Sequence, residues 1–248
     1  MSHFASQGAY DVRFEWGLAG LSAILSAGVR TVVVVDVLSF STCVAIAVDR
    51  EAVVLPYAGT DDDASAFAHD HGAILAGHRA NPETTYSLSP ASVLSVPRGM
   101  RLVLPSPNGS SLSCEASSKC IVVAGCLRNR DALASWLRES SEPVGLIAAG
   151  ERWPDGSLRP CLEDLLGCGA IAAELSGRLS PEARAAVATY DSVKGTIDEV
   201  LCECSSGREL IEKGFSIDVR LAAEVDVTDA VPVLKNDAYT SVALLRKL

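Results

Sequence analysis

Three groups of residues in this chain have the types and spacing for chemistry. The first is Asp36, which follows the apolar run 32–35 and precedes the small, hydroxyl-rich turn Ser39-Phe40-Ser41-Thr42. In open α/β sheets ligands gather beyond the carboxyl ends of strands, and a carboxylate there is well placed to hold a cation. The competing reading is a cap on the next helix, although a cap does not need an apolar strand aimed at it. The second group is Leu104-Pro105-Ser106-Pro107-Asn108-Gly109-Ser110-Ser111, which passes from a strand toward a helix through small residues. With Gly109 at positive φ, successive N–H groups would turn toward one point and the hydroxyls of Ser106, Ser110 and Ser111 would add donors, making an anion cradle. A hairpin turn at Asn108-Gly109 is the alternative, but the Ser- and Ala-rich stretch that follows does not suit a returning strand.

The third group is Glu163-Asp164, which opens a helix after Pro160. Acids at a helix start contribute about 0.3–1 kcal/mol whatever else they do. The next turn argues for more. Gly167 and Gly169 each cost roughly 1 kcal/mol against alanine, which implies a close approach that brings the two carboxylates to a site edge. Arg79, Arg128, Arg152 and Arg159 fall in loops after predicted strands, where a planar fork binds phosphate, sulfonate or carboxylate. His78 is a weaker candidate for acid–base work, while His69 and His71 lie on different faces of a predicted helix and read as surface residues.

These residues need a frame. Short β-branched runs alternate with Ala/Leu-rich stretches, and the chain is 48% hydrophobic with only 5% aromatics. That is the pattern of aliphatic strands covered by helices on both faces, so a three-layer α/β/α fold with a mixed, largely parallel sheet is expected. Strands are predicted at 32–35, 53–55, 73–75, 102–104, 121–124, 144–148 and 231–234, and helices at 18–27, 43–48, 110–116 and 131–138. Thr60 caps a predicted helix whose first turn carries Asp61, Asp62 and Asp63, and Ser180-Pro181 reads as N-cap and N1 of another. The polar loop 77–97 is longer than a connection requires, which marks it as functional, and a second loop spans 150–160. With no repeat or linker, residues 1–248 read as a single domain.

The formal charge of −10 and the absence of any Lys/Arg run argue against a nucleic-acid partner. An acidic protein that binds an anion must overcome its own field with clustered arginines, helix N-termini or a divalent cation. The eight cysteines lie mostly in apolar contexts and read as buried free thiols, and their spacing does not combine with the histidines into a zinc site. The start Met1-Ser2-His3-Phe4 has no basic region followed by an apolar stretch, and no segment has the length of a membrane span, so a cytoplasmic location is expected.

In combination, five stretches resemble the 2-phosphosulfolactate phosphatase family, the magnesium-dependent phosphatases of coenzyme M biosynthesis, over nearly the whole chain. They are Val33-Val34-Val35-Asp36-Val37-Leu38, Ser106-Pro107-Asn108-Gly109-Ser110, Cys161-Leu162-Glu163-Asp164 with its glycines, Ser206-Gly207-Arg208 leading to Gly214-Phe215, and Asp226 through Val231-Pro232-Val233. The resemblance implies a phosphomonoester hydrolase acting on a small anionic metabolite, with Asp36, Glu163 and Asp164 gathering Mg²⁺ directly or through water. Ser39, Arg79, Ser106, Asn108, Gly109, Ser110, Arg128 and Arg159 would then hold the substrate, and a homodimer would be the commonest assembly. An activated water and an aspartyl-phosphate both fit as the route of attack.

Departures from the family pattern fall at expected substrate contacts. The family's first motif continues with arginine where Ser39 stands, and its loop carries Gly-Glu-Arg and Asn-Ser-Pro where this chain has Gly77-His78-Arg79 and Leu88-Ser89-Pro90. Losing an arginine removes a contact worth about 1.5–3 kcal/mol. The implied substrate is therefore 2-phosphosulfolactate or a related 2-phospho-acid, and the alternative is a non-catalytic anion-binding or regulatory protein on the same fold.

Overall fold

The computed structural model describes residues 3–81 and 83–245. In chain order its elements begin with β1 (Val12–Trp16), α1 (Gly17–Leu25), β2 (Thr31–Val35), α2 (Phe40–Asp49), β3 (Val53–Tyr57), α3 (Asp61–Asp70) and β4 (Ile74–Leu75). Next come α4 (Pro90–Val93), β5 (Arg101–Pro105), α5 (Gly109–Ser117), β6 (Ile121–Gly125), α6 (Arg130–Arg138), β7 (Val144–Ala148), β8 (Glu151–Arg152) and β9 (Leu158–Arg159). The remainder comprises α7 (Leu162–Ala173), α8 (Pro181–Val193), α9 (Ile197–Glu203), α10 (Ser205–Glu212), α11 (Ser216–Ala223), β10 (Pro232–Lys235), β11 (Ala238–Ser241) and α12 (Val242–Leu245).

Nine of the described strands form one sheet in the order β1-β7-β2-β6-β10-β11-β3-β5-β4. The first four are mutually parallel, as are the last three, and the antiparallel hairpin β10–β11 joins the two blocks. In a flat sheet β2 and β5 would stand five strand steps, about 24 Å, apart. Yet α5, which leaves β5, packs on β2, β6 and β3, and α2, which leaves β2, packs on β6, β11 and β3. The two helices therefore lie between the blocks, which run in opposite directions, and Asp36 after β2 meets Ser106 and Gly109 after β5.

Both faces are covered, as the continuous valine run of β2 requires. Alternate strand residues point to opposite faces. Val32 and Val34 pack inward with Phe40, Leu112, Leu104 and Tyr239, while Val33 and Val35 pack outward with Leu166, Ile171 and Val219. On the far block, Leu55 and Val103 face Ala68 of α3. This is the expected three-layer α/β/α fold with a mixed, mostly parallel sheet.

Ser180 caps α8 by accepting the Ala183 N–H at 3.0 Å. Thr60 holds the N-cap position of α3, where its hydroxyl donates to Asp63 at 2.8 Å instead of capping the backbone. The side chains of Asp61 and Asp62 lie outside the described residues. Neither β1 nor β11 is predicted from the sequence, the loop 77–97 holds the short α4, and the loop 150–160 folds into the hairpin β8–β9. All eight cysteines are free; Cys43, Cys126, Cys161, Cys168 and Cys204 are buried, and Cys114 is exposed. Among the described residues no helix is long and apolar enough to cross a membrane.

Candidate active site

Asp36 follows β2 directly and is buried. Its Oδ1 accepts the Phe40 N–H at 3.1 Å, and its Oδ2 accepts the Gly109 N–H at 3.0 Å and the Ser106 hydroxyl at 3.5 Å. The two readings of Asp36 therefore meet in one side chain, since it ties down the first turn of α2 and joins it to the start of α5.

Gly109 works differently from the expectation. It does not adopt a positive φ. What its position demands is the absence of a side chain, because a Cβ would lie 2.3 Å from Phe40 Cδ1 and 2.8 Å from Asp36 Oδ2. The donors of the turn are turned inward as well. Asn108 and Gly109 direct their N–H groups at Ser106 Oγ, at 3.3 and 3.1 Å, and the Ser110 and Ser111 hydroxyls donate to the Leu104 and Pro107 carbonyls at 2.8 and 2.9 Å. Instead of an open anion cradle, the segment is a clamp on Asp36, with Ser110 fully buried and Ser106 left at the wall of a cavity.

Glu163 and Asp164 lie in the first turn of α7, both buried. The Asp164 carboxylate bridges two loops, accepting the Val37 N–H on Oδ1 and the Gly150 N–H on Oδ2, each at 2.8 Å. Glu163 Oε2 accepts the Cys204 thiol at 3.4 Å. The close approach inferred from the mid-helix glycines is present. A Cβ on Gly167 would lie 2.8 Å from both Val35 and Val37, and one on Gly169 would lie 2.2 Å from the Ala186 carbonyl of α8. Gly167 thus lets α7 settle onto the end of β2, beside Asp36.

Crowding of these acids shows in their titration. Burial pushes Asp36 up to about 7, Glu151 and Glu163 add to the rise, and the Phe40 and Gly109 N–H groups oppose it. Asp164 is raised well above the ordinary range by burial, then by Glu163 and Asp36. Glu151 is the acid that the sequence reading missed. Its Oε2 accepts Asn108 Nδ2 at 2.9 Å, and its side chain lines the cavity beside Ser106. The signal was available, since Glu151 stands just beyond the end of β7 as Asp36 stands beyond β2.

The cavity has a volume of about 730 Å³, and its polar edge includes Ser106, Glu151, His78, Arg79, Ser206 and Lys213. Arg79 comes from the long loop. Its Nη2 donates to Ser39 Oγ at 3.0 Å and to the Leu88 carbonyl, its Nε lies 3.4 Å from Asp218 Oδ2, and its guanidinium covers the Phe215 ring at 5.2 Å. Arg159 donates to Ser206 Oγ at 3.2 Å and stands 5.9 Å from the Trp153 ring, lining a neighbouring cavity of about 410 Å³ that shares Glu151 with the first. Arg152 lines that cavity too. Arg128 is not brought to the site, because its guanidinium donates to the Leu221 carbonyl at 2.7 Å and to Glu224, fastening the end of α11.

The oxygen donors near Asp36 are hard ligands suited to a hard cation. Among the described residues no group of three or more His, Cys, Asp and Glu side chains is placed to hold a metal ion. Such a donor set fits a divalent ion held by one or two carboxylates and completed by water and substrate oxygens.

Buried carboxylates at strand ends, beside a cavity edged by Arg79, Lys213 and Ser106, form an α/β enzyme site of small-molecule size. A sequence profile of the family described as 2-phosphosulpholactate phosphatase matches residues 23–237. The 2-phosphosulfolactate phosphatase of Methanothermobacter thermautotrophicus is 30% identical over 218 residues, covering 87% of this chain and 92% of its own. Probable 2-phosphosulfolactate phosphatases of Thermotoga petrophila and Parasynechococcus marenigrum are 30% and 31% identical, covering 85% and 81% of this chain and 91% and 87% of their own. The chain belongs to the 2-phosphosulfolactate phosphatase family, and its class is that of the phosphoric monoester hydrolases.

Proposed function

We propose that the chain hydrolyses the phosphate ester of a small acid, 2-phosphosulfolactate or a related 2-phospho-acid, with Mg²⁺ as cofactor. The observation that carries this reading is the meeting of a buried carboxylate, Asp36, raised to about 7, with the Ser106 wall of a cavity that also holds Arg79. Asp36, Glu163 and Asp164 are the proposed carboxylates, with Glu151 added to them, one or two binding the ion directly and the others through water. The ion would neutralise charge on the phosphoryl oxygens as the ester breaks. Arg79 and Arg159 would hold the anionic groups of the substrate through charge-assisted hydrogen bonds. Both oxygens of Asp36 are already held by N–H donors, which favours an attacking water over an aspartyl-phosphate. The proposed setting is the reducing cytoplasm, in keeping with eight free thiols.

The test is phosphate release from 2-phosphosulfolactate and 2-phospholactate before and after exhaustive chelation. EDTA should abolish release and Mg²⁺ should restore it. Full activity in the chelated protein would remove the ion from the reading. A ligand-dependent rise in melting temperature without any release would assign the site to anion binding alone.

A further inference from the structure

The cavity beside Ser106 is much larger than a phosphorylated sulfolactate needs. At about 730 Å³ it falls among sites that enclose drug-sized ligands, whereas the sulfolactate skeleton has only three carbons and little apolar surface to offer. Its walls are of two kinds. Ser106, Arg79 and Glu151 belong to its polar lining, while Tyr57 and Leu75, and Leu88 beside Arg79, belong to its apolar lining. Sheet order explains why the two sides meet. β3 and β4 flank β5, so Tyr57 pairs with Pro105, next to Ser106, and Leu75 pairs with Val103 further back along the strand. The apolar wall is also held in place, since Tyr57 donates its hydroxyl to the Thr60 carbonyl at 3.2 Å and its ring packs 5.0 Å from that of Phe67. Tyr57, Leu75 and Leu88 are all only half-buried, and a purely polar acid would leave that apolar surface wet. An apolar group on the substrate would remove it from water and gain in proportion to the area covered.

We propose that the substrate is a 2-phospho-acid bearing an apolar or aromatic side chain, seated against Tyr57, Leu75 and Leu88 while its phosphate lies by Ser106 and Arg79. This rests on the phosphatase reading and narrows its substrate class.

The experiment compares two phosphate esters on the full chain with Mg²⁺, 2-phospho-3-phenyllactate and 2-phospholactate, by kcat/KM. Calorimetry with the matching non-hydrolysable phosphonates reads binding alone. The phenyl compound should be favoured roughly tenfold or more in both measurements, chiefly through KM. Leu75→Trp, which fills the apolar side, should remove that preference. If Leu75→Trp does not fold, Ala58→Leu at the exposed lip of the same wall makes the same test. Equal handling of the two compounds, or preference for the smaller, overturns the proposal, and so does a preference that survives the filling variants. If neither ester is hydrolysed the phosphatase reading fails, and the phosphonates then decide: phenyl preference upholds the apolar seat and its absence overturns it.

Discussion

Arg79 donates from Nη2 to the Ser39 hydroxyl at 3.0 Å, across a sequence separation of 40 residues. The position where the family pattern leads one to expect an arginine thus has a guanidinium delivered from another loop. Asp218 and Phe215 hold it there, and Asp218 is itself fixed by the Ser89 hydroxyl at 2.7 Å and the Ala91 N–H at 3.0 Å.

Arg79→Gln is therefore expected to lower kcat/KM for 2-phosphosulfolactate by roughly 10- to 200-fold, the worth of one charged contact. Most of that loss should appear in KM. Ser39→Arg should bring no gain in the preference for 2-phosphosulfolactate over 2-phospholactate, because it sets a second cation against Arg79 at a position only 1% exposed. Steady-state kinetics on both esters check this, and a clear rise in the sulfonate preference of Ser39→Arg would show that Arg79 does not serve that role.

Asp164 makes a different prediction from the one that a simple ligand would make. Each of its oxygens accepts a buried N–H, from Val37 and from Gly150. In Asp164→Asn one acceptor becomes a donor, and one of those N–H groups loses its partner. The expected cost is about 1–3 kcal/mol of stability in addition to any loss of turnover. Urea unfolding of the variant checks this. Unchanged stability with turnover abolished would mark Asp164 as purely a ligand and remove the clamp.

What the sequence discloses and what it hides follow from the range of the interactions. Strand β2 is legible because five consecutive β-branched residues, all buried, have no other reading. Gly167 is legible because a mid-helix glycine has a local cost that only a close neighbour offsets. By contrast β1 is concealed by Arg13 and Glu15, and buried Arg13 is satisfied by carbonyls such as that of Tyr10 at 2.8 Å. β11 is hidden because its turn, Asn236-Asp237 with both φ positive, makes a tight hairpin without glycine. Arg128 and Arg79 look alike in sequence, as loop arginines after strands. Only the fold, which sends one to Leu221 and Glu224 and the other to the cavity, separates them.

The raised Asp36 gives stability a pH dependence of definite sign. Its folded value is about 7, against about 3.9 for an ordinary Asp in the unfolded chain. Between these values the folded state keeps a proton that the unfolded state releases, so the contribution is fully present below the unfolded value and is lost as pH rises through the folded one. In EDTA the melting temperature should fall from pH 5 to pH 8, and Asp36→Asn should shrink that fall. Asp164, raised in the same direction, leaves part of the slope in the variant. An identical fall in the two proteins would place the titration elsewhere.

The glycine at the start of α5 offers a way to separate packing from chemistry. A Cβ at Gly109 meets Phe40 at 2.3 Å and Asp36 Oδ2 at 2.8 Å, whereas the nearest neighbours of one at Gly169 are the Ala186 carbonyl and the Tyr190 side chain, neither of which lines the cavity. Both substitutions to alanine overpack, with an expected loss of about 1–3 kcal/mol each. They should differ in turnover. Gly169→Ala leaves Asp36 and its partners untouched, so kcat/KM per folded molecule should stay near that of the unmodified chain, while Gly109→Ala pushes on the carboxylate and should lower kcat sharply. Adding Phe40→Leu to Gly109→Ala relieves the ring but not the contact with Asp36. Stability should then partly recover with kcat still low, as read by urea unfolding alongside phosphate release. Recovery of kcat together with stability would show instead that Gly109 matters only as packing space, and that the hydrogen bond from its N–H to Asp36 has no part in the reaction.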